Sequence, residues 1–256
     1  MAVLRALTRA VPPSLARCEL THQQRQPIDA ALAALQHEGY ERALAALGCA
    51  VQRLPAEPEL PDSVFVEDAA VVLDEVAVVT RPGAAFRRAE VGSVAEALRP
   101  YRELRCIEPP GTLEGGDVLR LGRVLHVGLS TRSNPSGIEQ LGALLRPFGY
   151  EVRGVAMLGC LHLKSAVTLV AERTLLLNPE WIDAALFPGF AHVDVDRAEP
   201  AAANALLVGG EVVIPAGHPR TRRRLEERGI VTRPVEVDEL AKAEAGVTCC
   251  SLIFTA

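Results

Sequence analysis

Apolar positions along the chain fall into short runs separated by polar turns, and these runs set the order of elements. Residues 3–7 predict a strand, and the prolines of Pro12-Pro13-Ser14-Leu15 make the next segment a surface loop. Pro27 opens a helical pattern reaching Leu47, with Ile28, Leu32, Leu35, Leu44 and Leu47 as its apolar positions and Gly48 as its stop. A strand at residues 50–54 follows. Beyond it apolar runs pair across tight turns as hairpins. Residues 69–73 face 76–80 about Asp74-Glu75, and 118–121 face 124–127 about Gly122-Arg123; two further turns fall at Glu172-Arg173 and Gly209-Gly210. Helices over residues 91–99, 137–148 and 219–228 and strands over 104–107, 151–155 and 231–237 close most of these units. The last run, residues 246–254, reads as a strand with adjacent thiols, Cys249 and Cys250, which strand alternation sends to opposite faces.

Polar residues head the units at a nearly fixed period: Asp68, Glu114, His162, Asn204 and Cys249 follow one another at steps of 46, 48, 42 and 45 residues. A period of that size marks a propeller or solenoid array. With the N-terminal strand completing the short last unit, the chain makes one α/β domain over residues 1–256. It is a five-unit α/β propeller of strand-strand-helix-strand repeats about a pseudo-fivefold axis. Equivalent positions in a circular array form a ring, so a thiol, a His and two carboxylates meet at one mouth. Taken singly, each has a plainer reading. His162 suits a hydrogen-bonded core, Glu114 a strand start beside a capping Asp117, Asn204 a structural role, and Cys249 a small buried hydrophobe. The shared register of the repeat is what favours the mouth.

Composition narrows the function. The 256 residues are 49% hydrophobic, enough for a core that folds unaided. A net charge of −5 and a pI near 5.7 disfavour nucleic acid and acidic membranes as partners and leave small molecules. The basic run Arg220-Thr221-Arg222-Arg223-Arg224 is balanced by Glu226 and Glu227 on an amphipathic helix. Six cysteines without CxxC or other zinc-ligand spacing predict reduced thiols in a cytoplasm. No signal peptide or bilayer-spanning run is read.

Four motifs carry a resemblance: Asp62-Ser63-Val64-Phe65-Val66-Glu67-Asp68 with Arg81-Pro82-Gly83 and Arg87-Arg88, Leu113-Glu114-Gly115-Gly116-Asp117, Leu161-His162-Leu163-Lys164-Ser165, and Thr248-Cys249-Cys250-Ser251. In this order, spanning nearly the whole chain, they resemble dimethylarginine dimethylaminohydrolase. The resemblance implies the pentein propeller shared with arginine deiminase and amidinotransferases, and hydrolysis of Nω-methylated arginines to citrulline and methylamines. It implies no metal or organic cofactor. Carried across by motif, Cys249 is the nucleophile, His162 the general acid and base, and Glu114 their acidic partner. Asp62, Glu67 and Asp68 bind substrate, Arg87 and Arg132 hold its carboxylate, Leu15 lies in a lid, and Ala243 lends a backbone carbonyl. The expected partner is the small-molecule substrate, with a homodimer compatible and neither nucleic acid nor membrane required.

The chemistry needs these residue types. A guanidinium is a delocalised, poor electrophile that paired carboxylates such as Asp68 and Glu114 grip and orient. A thiol with an ordinary pKa of about 8.5 needs activation, by a cationic His162 or by the bound guanidinium itself. Two alternatives stand beside this reading: an arginine deiminase acting on free arginine, for which the chain is short, and a ribosome anti-association factor of the same fold that catalyses nothing.

Overall fold

The computed structural model describes residues 3–256. Strand β1 (Leu4–Arg9) leads through helix α1 (Ala30–Ala46) to β2 (Ala50–Leu54). Four units follow. The first is β3 (Ala70–Val72), β4 (Val76–Val79), α2 (Val91–Leu98) and β5 (Glu103–Cys106), and the second is β6 (Val118–Leu121), β7 (Val124–Leu129), α3 (Pro135–Leu145) and β8 (Glu151–Ala156). The third is α4 (Leu163–Ala166), β9 (Val167–Ala171), β10 (Thr174–Leu177) and β11 (Ala191–Asp194). The fourth is β12 (Leu206–Val208), β13 (Glu211–Pro215), α5 (Pro219–Glu226) and β14 (Thr232–Val235), after which α6 (Asp238–Ala241) and β15 (Leu252–Thr255) end the chain.

The strands form five separate three-stranded sheets with one layout. In β3-β4-β5, β6-β7-β8, β9-β10-β11 and β12-β13-β14, the first two strands pair antiparallel and the third returns parallel to the second. The fifth sheet joins the two chain ends, β15 antiparallel to β1 and β1 parallel to β2. A parallel return needs a crossover, which α1, α2, α3 and α5 supply. Between β10 and β11 a short 3-10 turn, Ala184–Leu186, serves instead.

The middle strand of the first unit is a continuous apolar run because both its faces are covered: β4, Val-Ala-Val-Val, is buried throughout. Each sheet shares an apolar core with the next, and the fifth shares one with the first, where Leu7, Leu252 and Phe254 pack with Ala77, Val79 and Val94. The first strands of all five sheets line a cavity of about 300 Å³. No described helix is long and apolar enough to cross a membrane.

Three expectations need correction. Helix α1 begins at Ala30, where the Asp29 carboxylate caps the N–H groups of Ala31 and Leu32, and it turns a different face inward. Leu32 and Leu35 are exposed (42% and 62%), while Ala33, His37, Tyr40, Glu41 and Leu44 are buried. Glu41 tolerates that face because its carboxylate is satisfied: Thr8 Oγ1 donates to Glu41 Oε1 at 2.6 Å, and Arg53 Nε donates to Glu41 Oε2 at 2.8 Å. The expected surface loop at Pro12-Pro13-Ser14-Leu15 is largely buried, with Leu15 opening a 3-10 turn, Leu15–Arg17. The expected strand over residues 246–254 starts only at Leu252, since residues 247–250 form a turn. Strand alternation therefore does not separate Cys249 from Cys250.

Candidate active site

Helical turns, not strand ends, present the residues that head the units. Asp68 lies in the 3-10 turn Val66–Ala69, Glu114 precedes the turn Gly115–Asp117, and His162 precedes α4. The glycine pair after Glu114 makes the approach possible. A Cβ on Gly116 would sit 2.7 Å from His162 Nδ1 and 2.8 Å from Asp68 Oδ1. With no side chain there, the Gly116 N–H donates to Asp68 Oδ1 at 3.0 Å.

His162 Nε2 bonds Glu114 Oε2 at 2.8 Å, and Asp68 Oδ1 lies 3.9 Å from the same nitrogen. Both carboxylates and the ring are buried. Burial works against the imidazolium, yet Asp68, Glu114 and Asp117 outweigh it and raise the His162 pKa to about 9. The site therefore holds a protonated imidazole at neutral pH. Asp68 is pulled down to about 2 against its burial, by His162 and then Arg87.

Cys249 stands in the turn before β15, and that turn is tied down on several sides. The Glu67 N–H donates to Cys249 O at 3.2 Å. Thr248 Oγ1 donates to Glu67 Oε2 at 2.8 Å and accepts from Asn204 Nδ2 at 3.1 Å, while the Thr248 N–H donates to Asn204 Oδ1 at 3.0 Å. Gly246 gives Asn204 its room, since a Cβ there would lie 2.3 Å from Asn204 Cγ, and its N–H points at Cys249 Sγ at 3.4 Å. Burial, then the charges of Glu67 and Asp68, push the Cys249 thiol up to about 12, so it rests as a thiol. Cys250 points its sulfur at Gly246 O, 3.7 Å away.

Several candidates sit in company the sequence did not reveal. Arg87 is buried among acids, with Asp68 at 2.7 Å, Glu90 at 3.0 Å and Glu114 at 3.7 Å. Arg132 lies 3.6 Å from Glu114 and 3.6 Å from Glu19, and its Nη2 donates to Thr21 Oγ1 at 3.1 Å. Asp62 accepts the Glu19 N–H at 3.2 Å, so Asp62 and Arg132 both hold the segment after Leu15. Glu67 has both oxygens engaged, one by Thr248 and one by Lys164 Nζ at 2.5 Å. Leu15 and Ala243 are buried in the same apolar cluster as Cys249.

Sequence reasoning missed Glu90, Lys164 and Thr248. Lys164 and Thr248 lie inside quoted motifs, next but one to His162 and next to Cys249, and that proximity was the available signal. Asp117 does more than cap: Ser130 and Ser133 hydroxyls donate to it at 2.6 and 2.7 Å, and the Leu163 N–H at 3.0 Å, so it joins the segments bearing Arg132 and His162. Asp68, Glu114 and His162 offer ligand atoms within 4.8 Å of one another. Glu114 and His162 spend those atoms on each other, and the Arg87 guanidinium already supplies a cation beside Asp68.

No family profile matches the chain. Five three-stranded sheets of one layout, with a buried histidine, cysteine and carboxylates in the turns before their first strands, define an α/β protein of repeated sheets. Over 251 residues the chain is 39% identical to the N(G),N(G)-dimethylarginine dimethylaminohydrolase of Streptomyces coelicolor, covering 97% of this chain and 96% of that one. It belongs to the dimethylarginine dimethylaminohydrolase family. A mutant of the Pseudomonas aeruginosa enzyme solved with citrulline superposes with a TM-score of 0.94 at 33% identity, over 98% of this chain and all of that one (100%). A dimethylarginine dimethylaminohydrolase adduct with S-methyl-L-thiocitrulline also gives 0.94 at 33% identity, over 99% of this chain and 100% of that one.

Proposed function

We propose that this protein is a dimethylargininase, a single-domain five-unit α/β propeller that hydrolyses Nω-methylated arginines to citrulline and methylamines. The observation that carries the reading is the buried pair His162–Glu114, with Asp68 beside it and Cys249 O bonded to the N–H of Glu67, the residue before Asp68. The citrulline complex and the thiocitrulline adduct of its relatives support the substrate class. The six free cysteines suit a reducing compartment, and we assign the enzyme to the cytoplasm.

The substrate guanidinium takes its place between Asp68 and Glu114, and Arg87, released from that position, turns with Arg132 to the substrate carboxylate. The cation beside Asp68 offsets the acids that hold Cys249 as a thiol, and the thiol proton passes to solvent. The sulfur attacks the central guanidinium carbon, forming the S–C bond. As the C–N bond breaks, His162 gives its proton to the leaving amine, which departs and leaves a covalent thiouronium. Neutral His162 then takes a proton from water as the water oxygen bonds to that carbon. Breaking the C–S bond frees citrulline and restores the cysteine. Glu114 stabilises the imidazolium in the first half and orients the ring in the second.

Amine release from asymmetric dimethylarginine tests the reading, with arginine as competitor. A kcat/KM higher for the methylated substrate is expected; selectivity by methyl groups is modest, roughly 10- to 200-fold. A higher value for arginine moves the protein to the deiminase reading, and no turnover of either removes the enzyme reading.

A further inference from the structure

Helix α1 contributes no residue to the cluster around His162, yet one of its side chains reaches the nucleophile's turn. Tyr40 is wholly buried, 0% exposed, at the centre of the inward face of α1. Its hydroxyl donates to Val247 O at 2.8 Å and lies 2.6 Å from Ser251 Oγ. A phenol carries one hydrogen, and a carbonyl only accepts. The proton is thus spent on Val247, and Ser251 is the donor in the second bond. Tyr40 so grips the chain two residues before Cys249 and two residues after it, and no other described side chain bonds to both sides of this turn.

The remaining side-chain ties come from other segments of the chain. Glu67 and Asn204 hold the backbone of Cys249 and the side chain and N–H of Thr248. Without Tyr40 the turn keeps its ties to Glu67 and Asn204, while residues 247–250 lack any strand ladder to fix them. The sulfur has to meet the same carbon twice, once as attacking thiolate and once as leaving group. A displacement on the order of 1 Å costs such a reaction about 100-fold.

We infer that Tyr40 is a positioning residue for Cys249, acting through a two-sided hydrogen-bond bracket on Val247 and Ser251. The inference rests on Cys249 being the nucleophile of the proposed reaction. Tyr40→Phe keeps the ring in the core and removes only the bracket. It should lower kcat about 10- to 100-fold with KM within about twofold of wild type, because no substrate contact is lost. Loss of packing alone would lower the melting temperature and leave the kcat of the folded fraction unchanged.

The experiment measures kcat and KM on asymmetric dimethylarginine, with active-site titration of the folded fraction, for wild type, Tyr40→Phe, Ser251→Ala and the double variant. Tyr40→Phe and Ser251→Ala should both act on kcat, and their effects should not add, since one bracket is broken in each. A folded Tyr40→Phe with kcat within twofold of wild type overturns the inference. If Tyr40→Phe does not fold, Ser251→Ala with unchanged kcat overturns it in the same way. A wild-type protein without turnover removes the dimethylargininase reading instead, so the two failures are distinct.

Discussion

The guanidinium of Arg87 lies 2.7 Å from Asp68 and 3.7 Å from Glu114, the carboxylates proposed to grip the substrate, and it is buried with both. Arg132 touches Glu114 from the other oxygen and also reaches Thr21 and Glu19. The two arginines therefore differ in what their removal does. In the proposed complex Arg132→Ala loses a charge-assisted contact to the substrate carboxylate worth about 1.5 to 3 kcal/mol, so KM should rise tenfold or more, with a smaller fall in melting temperature than for Arg87→Ala because Glu114 keeps His162 and Arg87. Arg87→Ala also strips buried Glu90 of its guanidinium partner and weakens the neutralisation of Asp68 and Glu114, which keep His162. An uncompensated buried charge costs about 3 to 5 kcal/mol, so this variant should melt well below wild type besides binding weakly. Equal melting temperatures for the two variants would show that Arg87 does not neutralise the cluster. The sequence named Arg87 and Arg132 through motif and loop position. It gave no sign of Glu90, whose carboxyl burial pushes up to about 7, because a Glu three residues after an Arg in a turn is common on surfaces.

Among the elements, the hairpins were legible and the turn that holds Cys249 was not. Alternating and continuous apolar runs with Gly or acidic turns located every hairpin, since that pattern is local. The β-branched and apolar run around Cys249-Cys250 has strand propensity too, but Thr248 is held by Asn204 and Glu67, 44 and 181 residues away, and these ties set a turn in place of a ladder. Long-range pairs misled the reading of α1 in the same way: Glu41 faces inward to meet Thr8, 33 residues distant, and Leu32 and Leu35 turn outward while Leu44 stays buried. The two thiols are still expected to differ, for a new reason. Cys249 Sγ receives the Gly246 N–H, while Cys250 Sγ faces Gly246 O and is almost wholly buried, 1% exposed. Cys249→Ser should abolish turnover while still folding and binding, because a hydroxyl is too weak an acid to supply the anion. Cys250→Ser should keep turnover within a few-fold and melt lower by the cost of a buried hydroxyl, about 1 to 3 kcal/mol. Mapping a trapped adduct by mass spectrometry checks this, and an adduct on Cys250 would reverse the assignment.

At the scale of the molecule, the 42- to 48-residue period was readable because each unit repeats one hairpin-and-return layout, and counting heads located Asp68, Glu114, His162 and Cys249. What counting could not give is the charge balance that the closed ring of cores enforces when it buries these groups together. That balance makes stability depend on pH at both ends. Asp68 has a folded pKa of about 2, below its ordinary 3.8, so its contribution is present above the ordinary value and is lost as pH falls through about 2. His162 works in the opposite sense. Its folded pKa of about 9 exceeds the ordinary 6.5, so the folded protein keeps a proton that the unfolded chain releases between those values. The stabilisation from His162 is complete below about pH 6.5 and disappears as pH rises through about 9. At 1.36 kcal/mol per unit the shift corresponds to roughly 3 kcal/mol. Urea unfolding of wild type and His162→Gln at pH 6 and pH 10 isolates this quantity, since every other group that titrates in the interval is common to both proteins. Wild type should lose roughly 3 kcal/mol more than His162→Gln across the interval. Parallel losses would show that Asp68 and Glu114 do not hold a proton on His162, and the general-acid step would then need another donor.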